Sequence, residues 1–72
     1  MGLVEYIEKF PEEVRNRFRL QLAKELGVSR EAIRSWEIGI RKPSIKNVLK
    51  MEIASKGILN RYDLRPDIWF ED

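Results

Sequence analysis

The residue types that most often carry out covalent or acid–base chemistry are missing from this 72-residue chain. It contains no cysteine and no histidine. Thiol nucleophiles, disulfides and zinc fingers are therefore excluded, and so is imidazole as a general base or metal ligand. The 12 acidic residues are scattered and mostly stand near bases, so no carboxylate set suggests catalysis. The chain reads as not an enzyme, with no catalytic residue, metal, cofactor or small-molecule substrate expected. What it does hold are side chains that recognise by hydrogen bonding. Arg30, Glu31, Arg34, Ser35 and Ile38 fall on one helical face, with Ser29 at its start. An arginine fork pairs with guanine O6 and N7, and a glutamate can accept from cytosine N4. Serine suits several bases, and an aliphatic tip can touch a thymine methyl.

For that face to point outward, the helix must be fixed by the opposite one. Ala32, Ile33 and Trp36 supply that inner face, and the 3.6-residue period turns the polar set away from it. The aromatic ring of Trp36 could stack on an unpaired base, but its spacing with Val28 and Ile33 assigns it to the core. Immediately upstream, Leu22, Ala23 and Leu26 form the inner face of a preceding helix, ended by Gly27. Glycine supplies the left-handed residue that closes a helix. Ser29 is a good N-cap, with Val28 and Ile33 in the two positions of a hydrophobic staple. Two short helices, a glycine turn and a small residue, Ala23, at the crossing are the requirements of a helix-turn-helix, placed at about residues 20–38.

The charge distribution agrees. Net charge is only +2, but residues 15–50 hold ten of the 14 bases against three acids, while both ends are acidic. A basic middle suits a polyphosphate. Candidate phosphate contacts are Arg17, Arg19 and Gln21, which open the first helix of the motif, and Arg41 and Lys42 in the following loop. Ser44, Lys46 and Asn47 join them at the start of the next helix, whose amides can also bind phosphate. No apolar run approaches the roughly 20 residues needed to cross a membrane. A cytoplasmic, nucleoid-associated protein with no membrane partner is expected.

The remaining elements follow from breakers and caps. Leu3, Val4, Ile7 and Phe10 predict a first helix ending near Lys9, and Pro11 suits a first helical position. A straight helix from there to Leu26 would put Arg15 and Arg19 within the apolar stripe, so a kink or re-start near Asn16 is expected. Ser44 should cap a helix that buries Ile45, Val48, Leu49 and Ile53 and ends at Gly57. Glu52 falls within that stripe and needs a partner, for which Arg61 and Arg65 are candidates. The tail, residues 58–72, should be mostly irregular, with an extended piece at Ile58–Arg61 and a helical turn around Leu64–Trp69. Residues 1–72 thus form one all-α domain of four to five helices.

Leu22 to Trp36, continued by Gly39, Arg41 and Pro43, resembles the helix-turn-helix of the Cro and lambda-repressor class. Glu52, Ala54, Gly57 and the run Asn60-Arg61-Tyr62-Asp63-Leu64-Arg65-Pro66-Asp67-Ile68-Trp69 look like the C-terminal signature of the Cro/YdaS branch of phage and prophage regulators. The resemblance implies a compact lambda-repressor-like fold that acts as a homodimer on a double-stranded DNA operator, encoded by a bacterium or phage. Carried over by position, Ser29, Arg30, Glu31, Arg34 and Ser35 would read the bases. The chain departs from the pattern between Phe10 and Leu20, where its connection is longer and more charged. The leading expectation is a transcriptional repressor. The alternative is an antitoxin in the same fold, which binds a toxin protein and regulates its own operon. Ile58, Leu59, Ile68, Trp69 and Phe70 are candidates for a dimer seam.

Overall fold

Five helices and no strand make up the described residues, 1–70, of the computed structural model. Helix α1 spans Leu3–Glu8, α2 Glu12–Leu26, α3 Arg30–Ile38, α4 Ile45–Ala54 and α5 Arg61–Leu64. The architecture is the expected small all-α helix-turn-helix domain. Glu71 and Asp72, at the end of the expected tail, lie outside the described residues.

The core collects one to three side chains from each of the first four helices. Leu3 and Ile7 come from α1, Leu22, Ala23 and Leu26 from α2, and Ile33 from α3. Val48 and Met51 come from α4, and Leu59 comes from the α4–α5 connection. Tyr6, Phe18, Val28, Trp36 and Leu64 pack around this centre while remaining partly exposed. Tyr6, Phe10 and Phe18 form a three-ring cluster joining α1 to α2, with Phe10 and Phe18 stacked at 4.8 Å between centroids.

Helix α2 runs without interruption through Asn16, so the expected kink is absent. The two arginines that argued for it are accommodated by partners. Arg15 donates from Nε to the Phe10 carbonyl at 2.9 Å and from Nη2 to the Glu8 carbonyl at 3.1 Å. It satisfies carbonyls left open where α1 ends. Arg19 reaches across to Glu37 of α3. A charged residue in an apolar stripe breaks a helix only if it finds no partner there, and both found one. Pro11 stands one place before the first helical residue rather than on it.

The turn between α2 and α3 closes as expected. Gly27 adopts φ +73°, the left-handed region that other residues enter at a cost. Its amide donates to the Lys24 carbonyl, and that of Val28 to the Ala23 carbonyl at 3.0 Å. This paired arrangement is the Schellman motif. The Ser29 hydroxyl then accepts from the Ala32 amide at 3.1 Å, and Ile33 is fully buried.

Helix α4 is rotated from its expected phase. Val48 and Met51 are buried, whereas Ile45 is half exposed and Ile53 is 79% exposed. Ile53 lies roughly 200° round the helix from Met51, so both cannot face inward. The rotation sets Glu52 at the boundary, where Arg61 donates to it from its backbone amide at 2.8 Å and from Nη2 at 2.7 Å. The helix ends at Ala54, three residues before Gly57. The expected extended piece after it does not form. Instead the buried Ser55 hydroxyl accepts the Leu59 amide at 2.8 Å, which draws Leu59 into the core. Asn60 caps α5 by accepting from the Asp63 amide at 3.0 Å. The turn expected near Leu64–Trp69 is present, with the Ile68 and Trp69 amides both donating to the Arg65 carbonyl at 3.0 Å.

Candidate nucleic-acid interface

The outer face of α3 is set by what the inner face buries. Ile33 is fully enclosed, and Ala32 and Trp36 are partly covered. Glu31, Arg34 and Ile38 are left exposed, the last at 53%. Ser35 is only partly accessible, and its carbonyl accepts from the amides of Gly39, Ile40 and Arg41 as the helix ends. Ser29 already uses its hydroxyl oxygen as the cap, which leaves its hydrogen to donate. Arg30 leans back on α2, donating from Nη1 to Asn16 Oδ1 at 2.8 Å, with Glu31 3.5 Å from its Nη2.

Arg34 is held differently. Its Nη1 donates to Glu37 Oε1 at 3.1 Å, one turn on. The same carboxylate takes a two-pronged contact from Arg19, Nε to Oε2 at 2.6 Å and Nη2 to Oε1 at 2.9 Å. The Glu37 side chain is only 4% exposed, against 17% for Arg19 and 55% for Arg34. The hydrogen bond to Glu37 raises the affinity of the Arg19 guanidinium for its proton. These residues line an open groove of about 610 Å³ between α1, α2 and α3, together with Val4, Ile7 and Ile38.

The expected phosphate set divides. Arg19 is engaged by Glu37 and does not stand free in solvent. Arg17 and Gln21 lie on the other side of α2, beside Phe10, Val14 and Phe18, because two residues from Arg17 to Arg19 is roughly 200° of helix. Gln21 donates there to Glu25 at 3.4 Å. Arg41 and Lys46 are exposed and without an ion pair among the described residues. Lys42 is 66% exposed and 3.6 Å from Asp67. Ser44 caps α4 by accepting the Asn47 amide at 3.3 Å. The loop bearing Arg41 and Lys42 is pinned from the tail, where Arg65 donates from Nη1 to the Pro43 carbonyl at 2.7 Å. Arg65 also forks onto Asp67 at 2.8 and 2.7 Å, which holds the Asp67 carboxyl well below the usual carboxylate range.

The sequence reading overlooked Glu37, Asn16 and Arg15. Glu37 carried a signal, since a carboxylate in the last turn of a helix opposes the helix dipole and calls for a compensating cation. Asn16 was read as a cap for a break that does not exist, and Arg15 as a misfit. Among the described residues no group of three acids could hold a metal ion, and no helix is long and apolar enough to cross a membrane.

A family described as Bacterial toxin YdaS matches the chain over residues 19–72. The match begins within α2 and includes α3, α4 and α5. No curated protein and no solved structure matches the chain.

Proposed function

The chain belongs to the YdaS family, and from that premise we propose that it is a sequence-specific, double-stranded DNA-binding transcriptional regulator. The observation that carries this reading is the exposed face of α3, where Glu31, Arg34 and Ile38 reach solvent, followed in the chain by the exposed cations Arg41 and Lys46, which have no ion pair among the described residues. α3 enters the major groove, where a helix of this diameter fits and base edges are distinguishable. Arg34 reads a guanine, with Glu31, Arg30, Ser35 and Ile38 as its neighbours and Ser29 at the helix start. Arg41, Lys42 and Lys46 contact phosphates, with the capped start of α4 at Ser44 and Asn47 adding backbone amides. The broader likeness to the Cro and lambda-repressor class supports repression by occupying an operator.

One nine-residue helix spans few base pairs, so a homodimer is part of the proposal, with half-sites about 10 bp apart or a multiple of that. Leu59 is buried within its own chain and cannot contribute to a seam. Ile53, Ile58 and Phe70 expose apolar surface that can. The second reading is an antitoxin that binds a toxin protein and regulates its own operon; the family's description, Bacterial toxin YdaS, is compatible with a place in a toxin–antitoxin pair. Selecting bound sites from a random duplex pool at a stated salt concentration tests the first reading. A single enriched motif, two-fold symmetric, is expected. Recovery of unenriched DNA would refute it, and would leave the protein-binding reading to be tested by its own partner.

A further inference from the structure

We propose that Glu37 is the positioning residue for base reading by Arg34, an inference that rests on the DNA-binding reading above. A free arginine must give up rotamer freedom when its fork meets a base edge, and that cost reduces both affinity and discrimination. Here part of the cost is met before DNA arrives. Glu37 Oε1 holds Arg34 by Nη1 alone. Nε and Nη2 have no partner among the described residues, and together they form the edge that matches guanine O6 and N7. The buttress is itself fixed. Arg19, from α2, engages both Glu37 oxygens and confines the carboxylate to one orientation. With Glu37 at 4% exposure, solvent cannot readily replace either arginine. The charge balance also suits the role. One carboxylate is offset by Arg19, so the outer arginine keeps its positive end for DNA. A helix also gains nothing from a carboxylate in its last turn, where the dipole disfavours it. The position of Glu37 is accounted for by the two arginines it joins.

The arrangement makes a specific experimental demand. Base-preference profiles are measured by selection from a random duplex pool at fixed salt, for the parent, Arg34→Ala, Glu37→Gln and the double variant. Arg34→Ala should lose preference at one base pair per half-site, by about 5- to 150-fold. Glu37→Gln should lose preference at that same base pair by roughly 2- to 12-fold. Its affinity for unrelated DNA should rise, because a negative charge has been removed. In the Arg34→Ala background, Glu37→Gln should change the profile no further. A parental profile in Glu37→Gln beside a relaxed one in Arg34→Ala would overturn the positioning role and leave the DNA reading intact. Loss of preference at every position, or a further loss in the double variant, would show that Glu37 acts only through the fold. A parental profile in Arg34→Ala would overturn the DNA reading itself and this inference with it. If Glu37→Gln does not fold, nitrogen-15 relaxation of the parent decides: the Arg34 Nε–H should be more ordered than that of Arg17, and equal mobility would overturn the proposal.

Discussion

Salt dependence gives the strictest measure of which cations face the DNA. The structure removes Arg19 from that count, because Glu37 holds it, and places Arg17 on the other side of α2. On the proposed reading, Arg41, Lys42 and Lys46 remain as the phosphate contacts of each protomer. Each neutralised phosphate releases condensed counterions, and log K falls by about 0.9 per contact per log unit of salt. Three contacts on each of two protomers predict a slope of about −5, and a loss of affinity on the order of 10³ between 50 and 200 mM salt. A lone protomer would give a slope of about −2.7 and a loss of about 40-fold over the same range. The assay is fluorescence anisotropy with a labelled duplex at several salt concentrations, on the selected operator and on a scrambled one. Lys46→Ala should weaken both duplexes by a similar factor and make the dimer slope less negative by about 2. A slope near zero would refute DNA as the partner. A parental slope in Lys46→Ala would refute the placement of α4 against the backbone.

Other consequences are checked by stability and mass. Ile33→Ala removes a fully buried side chain and should cost about 2–5 kcal/mol in denaturant unfolding, with DNA binding falling only as the folded fraction falls. Ser29→Ala loses the α3 cap and should cost about 1 kcal/mol, read by circular dichroism melting. Glu52 is held below its ordinary pKa, chiefly by the Arg61 side chain and then by the Arg61 backbone amide. The folded state therefore binds that proton less readily than the unfolded chain, and stability from this pair is present above the ordinary carboxylate range and lost as pH falls through the folded value. Glu52→Gln should lower the melting temperature at neutral pH and flatten its decline on acidification; an unchanged acid limb would deny the pair any role. Ile53→Asp and Ile58→Asp should shift sedimentation toward the monomer mass if either residue lies in a dimer seam.

The helix-turn-helix was legible because its determinants are local. Gly27, Ser29 and the staple of Val28 and Ile33 act within a few residues of one another, and the backbone follows them as written. The Glu52 partner was also legible, since a carboxylate in an apolar stripe leaves few options and Arg61 was one of the two named. Errors arose where long side chains reach between elements. Arg15 turns back to close α1, and Arg19 crosses to α3, neither of which periodicity can register. The α4 phase differs from the expected one because Met51, flexible enough to fill an irregular space, is fully buried, while Ile53 faces outward. At the interface, the exposed set on α3 was readable from the helical period. The carboxylate that restrains Arg34 showed in the sequence only as an acid in the last turn of a helix, and its partner Arg19 lies 18 residues away, beyond the reach of local pattern.

If the proposed DNA-binding reading holds, the ion cluster on α3 also bears on how the protein changes its target over generations. Arg34 is the outermost of three charges, and Arg19 satisfies Glu37 without it. Replacing Arg34 strands no buried anion, whereas replacing Arg19 leaves one. Position 34 is therefore free to drift among side chains of different base preference while the scaffold stays folded, and a new operator can be reached in one substitution. Positions 19 and 37 have no such freedom, since a change at either must be answered by the other. Across diverging copies of this sequence, residue 34 should vary with the operator, and residues 19 and 37 only with each other.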